Sequence, residues 1–226
     1  MPTSLLDRAI YSYSDLDRLV GLHAGTARRW LDGYTRTGTF YEPVLRAAPT
    51  GEDVVTWGEL VEARLLAEFR DRKVPIQKMR PAIVRLREEF GAYPLAHAAP
   101  WLDVEGRELV RLVQDEVGLD GPLQFVVVRN DQLMLTDGTE RFRHAVDYDE
   151  GIVHALRPVP ATPQVLMDPQ RSFGQPAVRS VRTDVLAEDF RAGTTREEFT
   201  DLYDLTPDQV DQALRFELIS SRAHVA

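Results

Sequence analysis

The sequence contains no cysteine among its 226 residues, which excludes disulfides and thiolate ligands for zinc or iron–sulfur clusters. It also lacks a long hydrophobic run: the longest, 125–128, has the length of a strand, far below the roughly 20 residues that cross a bilayer. Residues 1–8 lack a basic region followed by an apolar stretch, so we expect no signal peptide. These absences predict a cytoplasmic protein without membrane attachment.

Motifs for catalysis are missing as well. The five histidines form no His-x-x-x-His pair, and neither a glycine-rich phosphate loop nor a nucleophile elbow occurs. Asp147, Asp149 and Glu150, with His144 and His154 nearby, show no repeated ligand spacing and are interpreted as surface residues. We therefore expect no metal, no cofactor and no enzymatic activity.

Positive charge is scarce overall but unevenly distributed. The net charge is −9, yet residues 1–50 carry +1 and residues 51–100 are neutral, whereas residues 101–150 carry −7 and residues 151–226 carry −3. The acidic second half could repel DNA, face a basic partner protein, or only keep the surface solvated. The first half is free of this deficit, so nucleic-acid binding stays possible there.

The first chemistry-bearing pattern is a pair of short helices in residues 14–33. Leu16, Leu19 and Val20 give the first helix one apolar face, with Ser14 as its expected cap and Gly21 as its end. Thr26 is the expected cap of a second helix that ends at Gly33; Ala27, Trp30 and Leu31 face inward and Arg28 and Arg29 outward. Two short helices with a tight turn and a cationic outer face are typical of a helix-turn-helix.

A DNA-reading helix needs these residue types. Its N-terminal end enters the major groove, where His23 and Thr26 would lie near base edges or phosphates. Arg28 and Arg29 would neutralise phosphates or grip a guanine. The alternative is an ordinary helical hairpin with two solvated arginines.

The next segment extends the pattern towards a winged module. Residues 34–41 alternate polar with aromatic or β-branched residues around Gly38, which predicts a hairpin that includes Tyr34 and carries Arg36 towards a neighbouring phosphate. Two amphipathic helices come after it, over 56–70 and from Pro75 onwards. The turn between them and the second outer face are basic, and four of these residues are candidate phosphate contacts: Arg72, Lys73, Lys78 and Arg80.

The arrangement of residues 13–34, the hairpin, Leu60-Val61-Glu62 and residues 69–76 resembles the MerR-type winged-helix layout. That resemblance implies a helix-turn-helix that reads DNA and a second helical pair that supports the wing. The long dimerisation helix typical of MerR proteins is missing, so their effector-sensing mechanism is not carried over.

The remaining chain predicts a β-containing middle and a helical end. Residues 123–135 predict a β-hairpin with its turn at 129–131, and residues 157–163 predict a stiff proline-rich linker. An extended arm comes next, then a helix with a capping box of Thr194 and Glu197, and a last helix capped by Thr206 with proline in its first turn. These segments predict a trihelical unit.

The C-terminal motifs carry a second resemblance. Asp168-Pro169, residues 174–178, Ala192-Gly193-Thr194 and residues 210–214 resemble a small trihelical family of unknown function that is common among bacterial antitoxins. Joined to the MerR-like N-terminus, the match is close to mycobacterial VapB-type antitoxins with this domain pair. It implies a repressor of its own operon that silences a PIN-domain ribonuclease toxin. Most VapB antitoxins are short chains with a disordered tail, so the toxin-contact surface stays open.

Together these patterns predict an α+β, mainly α, protein. We expect a winged helix-turn-helix DNA-binding domain at 1–95, an acidic α/β middle region and linker at 96–160, and a trihelical antitoxin-type domain at 161–226. A homodimer is expected because two-fold operators match dimers. A stand-alone MerR-like regulator and a protein-binding adaptor remain the alternatives, and a PIN ribonuclease gene immediately downstream would favour the antitoxin.

Overall fold

The computed structural model describes residues 4–70 and 75–223. These residues form two compact units, the first within Met1–His144 and Tyr148–Val153, and the second within Ala145–Asp147 and His154–Ala226. Residues 96–144 thus belong to the same unit as the N-terminal helices. The predicted division at 95 and 160 stays a prediction.

The fold is α+β and mainly helical, as the sequence predicted. Every sheet in the described residues is two-stranded, pairing β1 with β4, β2 with β3, β5 with β6, β7 with β8 and β9 with β10. The strands are β1 (Ala9–Tyr11), β2 (Tyr34–Arg36), β3 (Thr39–Tyr41), β4 (Val55–Thr56), β5 (Val126–Arg129), β6 (Gln132–Leu135), β7 (Val146–Asp149), β8 (Ile152–Leu156), β9 (Ala177–Val178) and β10 (Val181–Arg182). The helices are α1 (Tyr13–Val20), α2 (Thr26–Asp32), α3 (Trp57–Ala67), α4 (Arg80–Phe90), α5 (Ala99–Leu102), α6 (Val104–Glu116), α7 (Asp137–Ala145), α8 (Thr183–Ala192), α9 (Arg196–Tyr203) and α10 (Pro207–Ala223). None of the described helices is long and apolar enough to span a membrane.

Helix α3 is the centre of the first unit. Nine of its eleven residues are buried, so it is enclosed on nearly every face rather than along one stripe. Thr56 and Glu59 form a capping box at its start, and the Trp57 indole N–H donates to the Val153 carbonyl at 2.9 Å. Gly58 permits close packing, because a Cβ there would lie 2.5 Å from the Tyr93 ring. The helix-turn-helix packs against this buried helix.

Helix α4 begins later than the sequence predicted. A 3₁₀ turn occupies Ile76–Met79, and the α-helix starts at Arg80 with Pro81 in its first turn. Proline lacks the N–H that would continue a helical ladder through position 81, so the four residues before the helix form the tighter turn.

The β5–β6 hairpin lies where the sequence placed it. Its two-residue turn is Asn130-Asp131, both with positive φ (50° and 58°), as a type I′ turn requires. Gln114, 1% exposed, holds the start of β5: its amide nitrogen donates to the Val126 carbonyl at 2.9 Å, and its oxygen accepts from the Phe125 amide at 2.7 Å.

The second unit packs α8, α9 and α10 around one apolar cluster. Phe199, Val210 and Ala213 are fully buried in it, together with Val165 from the preceding segment. The proline-rich stretch at 157–163 is therefore not a linker: Pro158 and Thr162 are buried, and the Val165 amide donates to the Thr162 carbonyl at 3.0 Å. Proline stiffness here fixes a packed segment rather than a spacer.

Two helix boundaries in this unit differ from expectation. Gly193 ends α8 in the left-handed conformation at φ +108°, and the capping box of α9 uses Thr195 and Glu198, one residue later than predicted. The predicted Thr206 cap is confirmed, since Thr206 Oγ1 accepts from the Gln209 amide at 3.3 Å. The last helix runs to residue 223, longer than the short helix expected.

Candidate nucleic-acid interface

Helix α1 starts earlier than the sequence suggested. Ser12, not Ser14, is its cap: Ser12 Oγ accepts from the Asp15 amide at 3.1 Å, and the Asp15 carboxylate accepts from the Ser12 amide at 3.0 Å. Gly21 ends the helix at φ +70°, as predicted. The turn after Gly21 sets the position of α2.

The N-terminus of α2 is capped from α1 rather than by its own threonine. Gly25 is the cap residue and has no side chain, and Thr26 is the first helical residue. The Asp17 carboxylate takes over this role, accepting from the Gly25 amide at 2.6 Å and from the Ala27 amide at 2.7 Å. Asp17 is 4% exposed, so the bond is shielded from water. Because these amides are already satisfied, α2 would contact a phosphate through side chains rather than through its N-terminal backbone.

The faces of α2 are oriented as the sequence predicted. Ala27, Trp30 and Leu31 are buried, whereas Arg28 and Arg29 are exposed. The Arg29 guanidinium donates to Thr26 Oγ1 at 3.0 Å, and neither arginine forms an ion pair with a described carboxylate. Helix α2 thus presents two uncompensated cations to solvent.

The β2–β3 hairpin comes directly after α2, where the wing was predicted. Thr37 and Gly38 form its turn with positive φ (48° and 79°). The rings of Tyr34 and Tyr41 stack across the strands, with centroids 4.9 Å apart and planes 9° from parallel. This stack stiffens a short ribbon whose Arg36 is exposed.

A groove of about 620 Å³ runs between α2, the hairpin and the segment before α4. Five of the ten predicted DNA-binding residues line it: His23, Thr26, Arg29, Tyr34 and Arg36. Trp30 and Ile76 supply apolar wall, and Arg70 adds a third guanidinium, which also donates to the Gly21 carbonyl. None of the described lining residues is acidic. We name this feature the α2 groove.

The other predicted residues are not assembled there. Arg28 is exposed on α2 but does not line the groove. Lys78 forms a salt bridge with Asp120 at 2.9 Å, and Arg80 donates to the Pro43 carbonyl at 2.8 Å. Two further candidates, Arg72 and Lys73, lie outside the described residues. A phosphate contact by Lys78 or Arg80 would have to compete with these internal partners.

A buried ion network holds the far end of α2. Arg46 donates to Asp32 at 2.9 Å and to Glu59 at 2.6 Å, and all three side chains are at most 10% exposed. Asp32 also accepts from the Tyr13 hydroxyl and from the Thr50 amide. Burial raises the pKa of Asp32, but the hydrogen bonds that it accepts outweigh this effect and hold its pKa below the ordinary value. The network thus connects both helices of the helix-turn-helix, α1 and α2, to the buried helix α3.

Sequence reasoning missed three contributors to this interface. Asp17 and Arg46 act through the partners described above, which lie eight to fourteen positions away, so no local motif marks them. Arg70 stood in the basic run around the second helical pair, and that run was the available signal for it.

Two described families match separate parts of the chain. The family described as "Putative DNA-binding HTH domain" matches residues 9–83, which include α1, α2 and the β2–β3 hairpin. The family described as "Protein of unknown function (DUF433)" matches residues 165–216, within the second unit.

Full-length relatives come from Mycobacterium tuberculosis strain H37Rv. "Uncharacterized protein Rv2308" is 39% identical over 222 residues, covering 95% of this chain and 92% of that protein. "Putative antitoxin VapB45" is 28% identical over 225 residues, covering 92% and 93%. The crystal structure of Rv2018 from M. tuberculosis is similar with a TM-score of 0.73 and 26% identity, covering 92% of this chain and 99% of that one.

Proposed function

The chain belongs to the same family as the uncharacterized protein Rv2308 of M. tuberculosis, and we propose that it is a DNA-binding antitoxin. In this proposal it binds double-stranded operator DNA as a homodimer, represses its own operon and neutralises a PIN-domain ribonuclease toxin. It is a binding protein rather than an enzyme. Because repression takes place on the chromosome, we place it in the cytoplasm.

The α2 groove is the observation that carries DNA binding. Three arginines and no acid are found among its described lining residues, in a chain whose net charge is −9. A duplex offers one negative charge per about 1.7 Å of helix axis, so a surface that binds it must segregate positive charge in this way. The match of residues 9–83 to a DNA-binding helix-turn-helix family supports the same assignment.

The docking geometry follows from which elements border the groove. We place α2 in the major groove with Arg28 and Arg29 towards the duplex, and the β2–β3 hairpin beside it as a wing whose Arg36 reaches an adjacent phosphate. The order of α1, α2, hairpin, α3 and α4 fits the MerR-type layout that the sequence resembles. Asp17 orients α2, so the side chains of this helix carry the contacts.

Replacing both Arg28 and Arg29 by alanine tests the DNA proposal. With the chain's own promoter as probe, we expect fluorescence anisotropy to show a loss of roughly 100-fold in affinity, and the slope of log K against log salt to shrink by about 2. The control is the double variant Arg85→Ala and Arg111→Ala, which removes the same charge from side chains that pair with acids away from the groove. Equal affinity of wild type and Arg28/Arg29 variant, with both folded by circular dichroism, would refute the placement of α2.

The antitoxin part rests on the relative named "Putative antitoxin VapB45", which matches this chain nearly end to end. We propose that the partner is a PIN-domain ribonuclease. The test is co-purification of the tagged chain from its native host, followed by a ribonuclease assay with and without the chain. Capture of a PIN protein whose activity the chain suppresses supports the antitoxin; promoter binding without such a partner would leave a stand-alone regulator.

The homodimer is tested separately by light scattering of the free chain and of its operator complex. Two chains per palindromic site are expected, because a single reading helix spans too few base pairs for selectivity. A stable one-to-one complex on a palindromic operator would contradict this part of the proposal.

A further inference from the structure

The first unit contains a second cavity, which shares no lining residue with the α2 groove. Its volume is about 540 Å³, and it is formed by the α5–α6 corner, the β5–β6 hairpin and α7. We name it the Trp101 pocket. Small-molecule sites in proteins typically have volumes of about 300–1,000 Å³, so the pocket is large enough for a compact organic ligand.

Five of the ten residues that line the Trp101 pocket are apolar, and the other five are charged. Trp101 borders the pocket but is itself only 1% exposed, and its indole N–H already donates to the Leu95 carbonyl at 3.1 Å. Leu133 and Leu135 of β6 add aliphatic wall. At the rim, Leu102 and Met134 are 45% and 44% exposed, so part of this apolar surface faces solvent.

Several arginines line this pocket, although the segment of the chain that forms it is acidic overall. Residues 101–150 carry a net charge of −7 and contain five arginines, of which Arg107, Arg129 and Arg143 line the pocket. Arg143 is committed to Glu140 at 2.6 Å. Arg107 and Arg129 form no ion pair with any carboxylate of the described chain, and Arg107 Nε is buried without a hydrogen-bond partner there. A buried guanidinium nitrogen of this kind calls for an acceptor.

One acidic side chain opposes this charge. Glu140 is neutralised by Arg143, but Asp137 at the start of α7 lines the pocket and forms no ion pair with a described cation. The balance of the uncommitted groups is therefore two guanidiniums against one carboxylate. The pocket favours an anion by a margin that substitution of Asp137 can widen.

We propose that the Trp101 pocket binds a small organic anion, namely a carboxylate carried on an aromatic or aliphatic body. A planar guanidinium matches a carboxylate with two parallel hydrogen bonds, which Arg107 and Arg129 can supply. The apolar side chains of the lining, Leu102, Leu133, Met134 and Leu135, contact the body of the ligand. This inference goes beyond DNA binding and does not depend on it.

A calorimetric titration of the full chain with 1-naphthoate tests the proposal. The neutral isostere 1-naphthamide is the control, since it has the same body without the charge. We expect naphthoate to bind with a dissociation constant on the order of 0.1–1 mM, as its small size allows, and naphthamide to bind at least about tenfold more weakly. Equal binding of the two probes, or no binding of naphthoate, would overturn the proposal.

Four variants test where the ligand binds and which ligand charge the site prefers. Arg107→Gln and Arg129→Gln should each weaken naphthoate binding by about tenfold, whereas Arg111→Gln, on the same helix as Arg107 but outside the pocket, should leave it unchanged. Asp137→Asn should strengthen binding severalfold; a weaker complex would refute the assignment. Arg129 is exposed, so its variant keeps the test valid even if Arg107→Gln does not fold. No DNA is present in these titrations, so a failure here is independent of the proposed repressor function.

Discussion

Glu62 offers a pH-dependent test of the core of the first unit. It lies on the buried helix α3 with no exposed surface, and Oε1 accepts from the Leu95 amide at 3.1 Å while Oε2 has no hydrogen-bond partner in the described chain. Burial raises the pKa of Glu62 from 4.5 to about 8, and the opposing pull of the Leu95 amide and the Arg87 charge is too weak to offset it. At pH 7 the folded protein therefore holds this carboxyl mainly as the neutral acid.

The sign of the effect on stability follows from proton binding. Between pH 4.5 and about 8 the folded state retains a proton that the unfolded chain loses, so stability is highest below pH 4.5 and falls as the pH rises towards 8. Each pH unit above 4.5 lowers the free energy of unfolding by about 1.4 kcal/mol, so the loss at pH 7 is roughly 3 kcal/mol. Glu62→Gln removes this titration and keeps the side-chain shape. The variant should be close to wild type near pH 4.5 and more stable by roughly 3 kcal/mol at pH 7.

Urea unfolding at half-unit steps from pH 5 to pH 8 measures this difference. Glu88→Gln is the control, because it removes one negative charge from an exposed position on α4 and should change the unfolding free energy by less than about 0.5 kcal/mol at every pH. A difference between Glu62→Gln and wild type that does not vary with pH would refute the reasoning. So would a ¹³C titration that places the Glu62 carboxyl near 4.5 in the folded protein.

The remaining predictions concern residues that hold the helix-turn-helix and the Trp101 pocket in place. Asp17→Ala leaves two N-terminal amides of α2 without their acceptor and should cost roughly 2–4 kcal/mol in chemical unfolding and lower promoter affinity; unchanged stability would show that the cap from α1 is dispensable. Arg46→Leu strands the two buried carboxylates that flank it and should destabilise by about 3–5 kcal/mol, which a thermal melt at pH 7 checks and an unaltered Tm contradicts. Replacement of a helical glycine by alanine usually stabilises a helix by up to about 1 kcal/mol. At Gly106 the new Cβ would lie 2.0 Å from the Ala99 carbonyl oxygen, so Gly106→Ala should lower the free energy of unfolding by about 1–3 kcal/mol. A gain in stability would disprove the close approach of α5 and α6.

The acidic overall charge and the proposed DNA binding are compatible because positive charge is concentrated in the α2 groove. The described lining of the α2 groove contains arginines and no acid, whereas most carboxylates of the chain lie after residue 100. Salt dependence of binding should therefore report the few cations of the groove rather than the net charge of the chain.

Local features were predictable because they depend on neighbours within about four residues. The apolar spacing around Leu16 and Leu19, the stop at Gly21, and the outward Arg28 and Arg29 follow from helix periodicity. The hairpin turn, predicted at 129–131 and found at 130–131, follows from the strand pattern on either side of it. Caps were predicted to within one or two positions, since adjacent serines or threonines compete for the same amides. The mixed, mainly helical fold and the charge asymmetry likewise came from the sequence alone.

Tertiary packing decided what depends on pairs far apart in the chain. Only packing places Asp17 at the first amides of α2, Arg46 between two carboxylates, and Lys78 and Arg80 beside partners elsewhere in the chain. The residues that line the Trp101 pocket are spread from Trp101 to Arg143 and form no sequence motif. Periodicity determines which face of a helix is apolar, but the partner of a buried charge is determined by which other charge the folded chain brings within reach.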